Sequence, residues 1–246
     1  MCCTGQAGEH GVRQIKMTLS KTIADSEAII FDLFHTLVSF KSDGTTGRNT
    51  SEILGIPEDD WNKLLWESSE YRLRHNHQDD ISIIRKLAHQ YDPSILETKI
   101  EEATHERAAR FRECLTTPPT QRINAIRRLH ERGHKMILLS NADVMEKRGW
   151  NESPFAPFFL NALFSCDIGY IKPEVEAYQT ALKASNSDAD SVVFVGDGGS
   201  NELEGAKACG FTTVMTTEII GAFWPNLIPK RKTHADYVIK SLDELL

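Results

Sequence analysis

The sequence predicts an α/β fold, a doubly wound parallel sheet of Rossmann type with an all-helical module inserted after its first strand. Three observations lead there. Short continuous apolar runs at 28–31, 136–139 and 192–195 have the length and β-branched or aromatic content of strands buried on both faces. From Thr120 onward such runs alternate with helical patterns, which is the signature of βαβ units and of a parallel sheet covered on both sides. Residues 43–118, by contrast, carry helical periodicity with no strand pattern among them.

Taken in order, residues 1–25 are polar and lack the apolar core of a secretory signal, so a disordered leader is expected, with Met17 an alternative start and Cys2–Cys3 a candidate lipid site. Ala28-Ile-Ile-Phe31 is the first strand, and Asp32 stands where it leaves the sheet. The turn-rich stretch Ser42 to Ser51 is a linker. Three amphipathic helices follow: one with Trp61, Leu64 and Leu65; one with Ile84, Leu87, Ala88 and Tyr91; and one with Ile100, Ala103 and Phe111, for which Asp92 is the expected N-cap and Pro93 the first residue. Trp61 and Trp66 are read as core of this module. Leu115 to Gln121 closes it, which divides the chain into a catalytic core of 26–42 and 119–246 and a helical cap of 43–118.

The core then runs through a helix with Ile123, Ile126 and Leu129 that stops at Gly133, and a strand at 136–139 ending in Ser140-Asn141. A strand at 162–164 precedes the helix that follows Lys172-Pro173 with Val175, Tyr178, Ala181 and Leu182. The strand at 192–195 ends in Gly196-Asp197, its helix runs from about Asn201 to Cys209, and strands at 213–215 and 237–239 complete the sheet.

Composition narrows the function. The formal charge of −7 is spread over 246 residues without acidic blocks, which argues against a nucleic-acid or anionic-membrane partner. No apolar run approaches the roughly 18 residues of a membrane span. Five cysteines without paired spacing point to reduced thiols and a cytoplasmic location. A monomer or homodimer acting on a small anionic metabolite is expected.

Four polar clusters fall just past strand ends or in adjoining loops: Asp32 with Thr36, Ser140 with Asn141, Lys172, and Asp197 with Glu202. A doubly wound sheet gathers such positions at one edge, where ligands bind. Each alone has a plain structural reading as a cap, a turn or a solvated charge; together they supply a carboxylate nucleophile, a hydroxyl, a cation and a second carboxylate.

In their contexts Phe-Asp-Leu-Phe-His-Thr-Leu, Leu-Leu-Ser-Asn, Ile-Lys-Pro-Glu and Phe-Val-Gly-Asp-Gly-Gly-Ser-Asn-Glu, these clusters resemble the four motifs of the haloacid dehalogenase (HAD) superfamily, from about residue 27 to the C-terminus and with a helical C1-type cap. The resemblance implies that Asp32 forms a covalent aspartyl intermediate, that Thr36 and Ser140 hydrogen-bond the transferring group or the nucleophile, and that Lys172 neutralises charge between Asp32 and the substrate. It also implies that Asp32, the carbonyl of Phe34 and Asp197 hold Mg²⁺. Phe34, His35 and Asn141 beside the nucleophile, and Arg72 in the cap, are the candidate substrate contacts. Arg72 clusters with Arg74, His75 and His77, for which a solvated helix end is the plainer reading.

Two positions depart from the phosphatase pattern. Phe34 stands where phosphatases of the superfamily carry an acidic proton donor, as an aromatic residue does in the dehalogenase branch, whereas Asp197 is the metal-binding residue that branch lacks. His35, where glycine is common, either replaces the missing acid or turns its ring away from the pocket. The balance favours an Mg²⁺-dependent, phosphatase-like HAD hydrolase. The alternatives are a metal-independent 2-haloacid dehalogenase-type hydrolase and a ligand-binding or regulatory protein without turnover. The Gly196–Asn201 loop lacks the third glycine of a dinucleotide fingerprint, which sets an oxidoreductase aside.

Overall fold

The computed structural model describes residues 18–41, 46–74 and 79–246. Most of the expected leader, residues 42–45 of the linker, and His75 and His77 lie outside the described residues. The strands are β1 (Ala28–Phe31), β2 (Lys135–Ser140), β3 (Asn161–Phe164), β4 (Val192–Gly196), β5 (Thr212–Thr216) and β6 (Tyr237–Ile239). All pair in parallel, in the order β3-β2-β1-β4-β5-β6. The chain builds outward from β1 on one side, then returns to build on the other, so β1 is the switch point where a crevice opens at the carboxyl edge. Phe31 pairs with Leu138 on one side and Val195 on the other, which brings the ends of β1, β2 and β4 within two residues of one level.

Alternation divides these strands between two cores. Ile29, Phe31, Met136, Leu138, Val193 and Val195 face one layer, while Ala28, Ile30, Ile137, Leu139, Val192 and Phe194 face the other. Both faces are therefore apolar, which is why the strands read as unbroken hydrophobic runs.

The helices are α1 (Leu19–Asp25), α2 (Thr50–Leu54), α3 (Glu58–Glu67), α4 (Ser69–Leu73), α5 (Asp80–Tyr91), α6 (Glu97–Thr116), α7 (Thr120–Glu131), α8 (Ser165–Ile168), α9 (Val175–Ser185), α10 (Glu202–Ala208), α11 (Ile220–Phe223) and α12 (Ile228–Arg231). Between β1 and α7 the described elements are all helical, and α2 to α6 share a core of Ile53, Leu54, Trp61, Leu64, Ile83, Ile84, Leu87 and Ile100.

Three expectations are corrected. Residues 19–25, assigned to the leader, form α1, whose N-cap Thr18 accepts from Lys21 N. The long helix α6 starts at Glu97 rather than Pro93, because Asp92 spends its carboxylate on Ser94 N at 2.8 Å and Ser94 Oγ at 2.7 Å, closing a turn ahead of the helix. Trp66 is 73% exposed and lines a cavity of about 920 Å³, whereas Trp61 is core as expected.

Candidate active site

The β1–β2–β4 edge gathers the polar clusters. After β1 the chain turns at once: Leu37 N donates to Leu33 O at 2.8 Å, and this turn carries Thr36 back so that its Oγ1 donates to Asp32 Oδ2 at 3.0 Å. Asp32 itself is tied to β4 by its N–H, 2.9 Å from Val195 O. Lys172 arrives from the loop ahead of α9, and its ammonium lies 2.6 Å from both Asp32 Oδ1 and Glu202 Oε2. All four side chains are buried.

The electrostatics follow from that burial. Burial by itself draws the Lys172 ammonium down, but Asp32 and Glu202 on either side raise it, so it stays charged. Burial, and next the Asp32 carboxylate, push Glu202 up to about 8. Both Glu202 oxygens nevertheless accept, from Lys172 Nζ at 2.6 Å and from Gly198 N at 3.0 Å, which holds the group as an acceptor within the pair.

Asp197 follows β4 and is buried. Its Oδ1 accepts from Gly199 N at 2.8 Å, and its Oδ2 is held by Arg231 Nη1. Ligand oxygens of Asp32, Asp197 and Glu202 lie within 4.8 Å of one another. Ser140 Oγ, at the end of β2, is buried and has no hydrogen-bond partner among the described residues. A donor left unpaired next to a ligand crevice is what an absent ligand would explain. A cavity of about 920 Å³ adjoins the cluster, lined by Asn141, Lys172 and Gly198 from the core, Trp66, Ser69 and Leu73 from the cap, and Lys230 and Arg231.

Not every expected substrate contact is placed to make one. Arg72 is buried, with Nη1 2.6 Å from Asp143 Oδ2 and 3.5 Å from Glu146 Oε1, Nη2 on Leu65 O and Nε on Ser68 Oγ. Its donors are taken up in the cap–core contact. Asn141 binds the Lys172 backbone twice, accepting from its N at 2.8 Å and donating to its O at 2.9 Å, so it fixes the lysine loop. The Phe34 ring packs edge-on against Phe40 and Phe111, the latter from the cap. His35 adopts a left-handed backbone with φ 65, and its ring packs against Phe40 and Trp224. Burial outweighs the nearby Asp197 and Asp32 carboxylates and lowers it, so the imidazole is neutral at pH 7.

Two groups escaped the sequence reading. Arg231 belongs to a short basic run, Lys230-Arg231-Lys232, that has no apolar periodicity and reads as solvated surface; its only signal is that so much positive charge stands between β5 and β6 in an acidic chain. Asp143 and Glu146, which take up Arg72 and Arg107, follow the Ser140-Asn141 cluster and read as an ordinary helix start.

A strand-end carboxylate held by a buried lysine at the switch point of a doubly wound sheet, under a helical cap, defines a capped α/β hydrolase. Residues 26–210 match the haloacid dehalogenase-like hydrolase family, and the chain belongs to it. It is 26% identical over 230 residues to the glyceraldehyde 3-phosphate phosphatase of Pyrococcus furiosus, covering 89% of this chain and 91% of that one. In fold it is similar to the L-2-haloacid dehalogenase of Xanthobacter autotrophicus with chloropropionic acid covalently bound (TM-score 0.60, 16% identity, 89% and 96% of the two chains). It is also similar in fold to the HAD-hydrolase YfnB of Bacillus subtilis bound to magnesium (TM-score 0.58, 16% identity, 89% and 96%).

Proposed function

We propose that the chain is a magnesium-dependent, phosphatase-like hydrolase that cleaves a small phosphorylated metabolite through a covalent intermediate on Asp32. The observation that carries the reading is the carboxylate trio, with ligand oxygens of Asp32, Asp197 and Glu202 within 4.8 Å of one another. A dehalogenase has no use for that concentration of negative charge, whereas a hard cation and an anionic phosphoryl group together do. By the family resemblance, Asp32 and Asp197 are the side chains that would hold Mg²⁺, with the Phe34 carbonyl as a third donor, while Glu202 holds Lys172 and Gly198 N. Bound there, the ion would supply charge neutralisation and polarise phosphoryl oxygens.

The chain's own residues account for the rest. Asp32 attacks phosphorus; the new carboxylate–phosphorus bond forms as the bond to the leaving oxygen breaks, and that oxygen departs with the electron pair. Lys172, pinned between Asp32 and Glu202, offsets the charge that gathers between nucleophile and phosphate. Thr36 fixes the attacking carboxylate, and the Ser140 hydroxyl is a donor free for a phosphoryl oxygen. Water then attacks phosphorus and returns Asp32, so one hard step becomes two easier ones.

Phe34 cannot protonate the leaving oxygen, and neutral His35 is packed among aromatic rings. Substrates with good leaving groups are therefore favoured, and poor ones forgo a contribution of roughly 10²–10⁴-fold. The name of the Pyrococcus relative supports a phosphorylated small metabolite as the substrate class. The second reading, a metal-independent 2-haloacid dehalogenase-type hydrolase, is favoured by Phe34 alone, because a halide leaves without a proton.

A parallel screen of phosphate monoesters and 2-haloacids, each with Mg²⁺ and with EDTA, separates the two. Metal-dependent phosphate release that vanishes in Asp32→Asn and Asp197→Asn is expected. Halide release insensitive to EDTA would replace this reading with the second.

A further inference from the structure

Arg231 holds the carboxylate that the cation would need. It lies at the end of α12, and with Leu227, Lys230, Thr233 and His234 it forms one wall of the 920 Å³ cavity. Its Nη1 donates to Asp197 Oδ2 and lies 3.4 Å from the Asp197 carbonyl oxygen. The stem passes close over the turn after Asp197: Gly198 has φ +80, and a Cβ there would stand 2.9 Å from Arg231 Cβ. Glycine at that position therefore admits both the left-handed turn and the arginine arm. The other Asp197 oxygen is already bonded to Gly199 N at 2.8 Å. A cation binding to Asp197 thus competes with the guanidinium for Oδ2.

Charge gives this competition a direction. Asp32 and Asp197 are each held by a cation, Lys172 and Arg231, so these pairs leave no positive charge to spare for an anionic substrate. A divalent cation supplies it, and it repels a guanidinium held on the same carboxylate. The freed guanidinium stays at the cavity wall, where its fork of N–H donors matches the oxygens of a phosphate.

Resting on the reading that Asp32 and Asp197 are the cation site, we propose that Arg231 is a resident counter-ion of Asp197 that the cation displaces toward the substrate phosphate. Cation and anion then bind cooperatively, each raising the affinity of the other by the same factor. Arg231 becomes the specificity residue that lets phosphate in only when the metal is present, and Lys230 and His234 extend the same cationic wall.

The test is calorimetric titration of the full-length chain with MgCl₂, with and without saturating inorganic phosphate. In the wild-type protein phosphate should tighten Mg²⁺ binding about tenfold, within the usual range of such couplings. Arg231→Gln should bind Mg²⁺ alone more tightly than wild type and lose the coupling. Arg231→Lys, which keeps the charge and the stem but not the fork, should retain the weak basal affinity and couple less, and its behaviour is separate from any folding defect of the glutamine variant. Equal Mg²⁺ affinity in wild type and Arg231→Gln, or coupling that survives in Arg231→Gln, overturns the role of Arg231 while leaving the cation site standing. No Mg²⁺ binding by either protein overturns the cation site itself, and the role of Arg231 with it.

Discussion

The protein buries two clusters of opposed charge. In one, Arg72 and Arg107 from the cap meet Asp143 and Glu146 from the core, with Arg72 Nη1 2.6 Å from Asp143 and Arg107 Nη2 2.5 Å from Glu146. In the other, Lys172 and Arg231 meet Asp32, Asp197 and Glu202. The first is balanced, two cations against two carboxylates, and none of the four lines the 920 Å³ cavity. Asp143 Oδ1 also accepts from Met145 N and Glu146 N at 3.0 Å each, so the core loop is shaped around it. The second has a third carboxyl group and a cavity beside it; a buried polar atom without a partner among the described residues is found in both places, Ser140 Oγ here and Arg107 Nε there. Burial alone does not distinguish structure from chemistry; a third carboxyl group beside open space does. A balanced, sealed cluster instead fixes geometry, since removing either partner leaves the other buried and uncompensated.

The contrast is sharpest when one carboxylate from each cluster is altered. Asp32→Asn should abolish turnover, by about 10⁴-fold or more in kcat, since the nucleophile is lost, while the melting temperature hardly falls. Asp143→Ala should do the reverse, costing about 3–5 kcal/mol of stability for the stranded Arg72 and lowering kcat far less than Asp32→Asn does. Steady-state kinetics and denaturant unfolding on the two variants are sufficient. An Asp143 variant of wild-type stability, or an active Asp32 variant, would break the distinction.

Phe34 links the two clusters. Its ring packs on Phe111, and Phe111 lies under the Arg107 guanidinium at 4.6 Å. Phe34→Asp should raise turnover of esters with poor leaving groups by up to roughly 10²-fold, as a carboxyl takes the proton-donor position. It should also cost about 1–2 kcal/mol in unfolding free energy through lost ring packing. Unchanged kinetics would put the proton donor elsewhere.

The smallest effect concerns Arg74, which ties α4 to the core through Gly169 O at 2.9 Å and Glu174 Oε1 at 2.5 Å. The Arg74 hydrogen bond holds Glu174 below its ordinary value of 4.5. A carboxylate lowered on folding contributes stability above its unfolded value and loses it as pH falls through the folded one. Melting temperature should therefore drop more steeply below about pH 4.5 in wild type than in Glu174→Gln.

Much of this was legible because strands buried on both faces announce themselves, and a conspicuous residue ends β2 (Ser140) or directly follows β1 (Asp32) and β4 (Asp197). Register then does the rest: Phe31, Leu138 and Val195 stand level, so Asp32, Ser140 and Asp197 leave the same edge of the sheet within two residues of that level. What was not legible depends on partners distant in sequence. Arg72 reads as an available cation until Asp143 and Glu146, more than 70 residues on, are seen to take it up. That Asn141, which lines the cavity, also fixes the Lys172 backbone cannot be seen from its place after β2. The start of α6 was misplaced because an Asp-Pro pair can close a turn as well as cap a helix. Arg231 sits in a basic run whose pattern says only that it is polar.

The central claim, that Asp32 attacks phosphorus and that water later attacks the same phosphorus, is tested most directly by a single turnover in ¹⁸O-water with enzyme in excess. Mass spectrometry of the products and of the Asp32 peptide should find the solvent oxygen in the released phosphate and none in Asp32. Solvent oxygen in the Asp32 carboxylate would mean that water attacks carbon, as in hydrolysis of an alkyl ester left by a haloacid, and would contradict the phosphatase account.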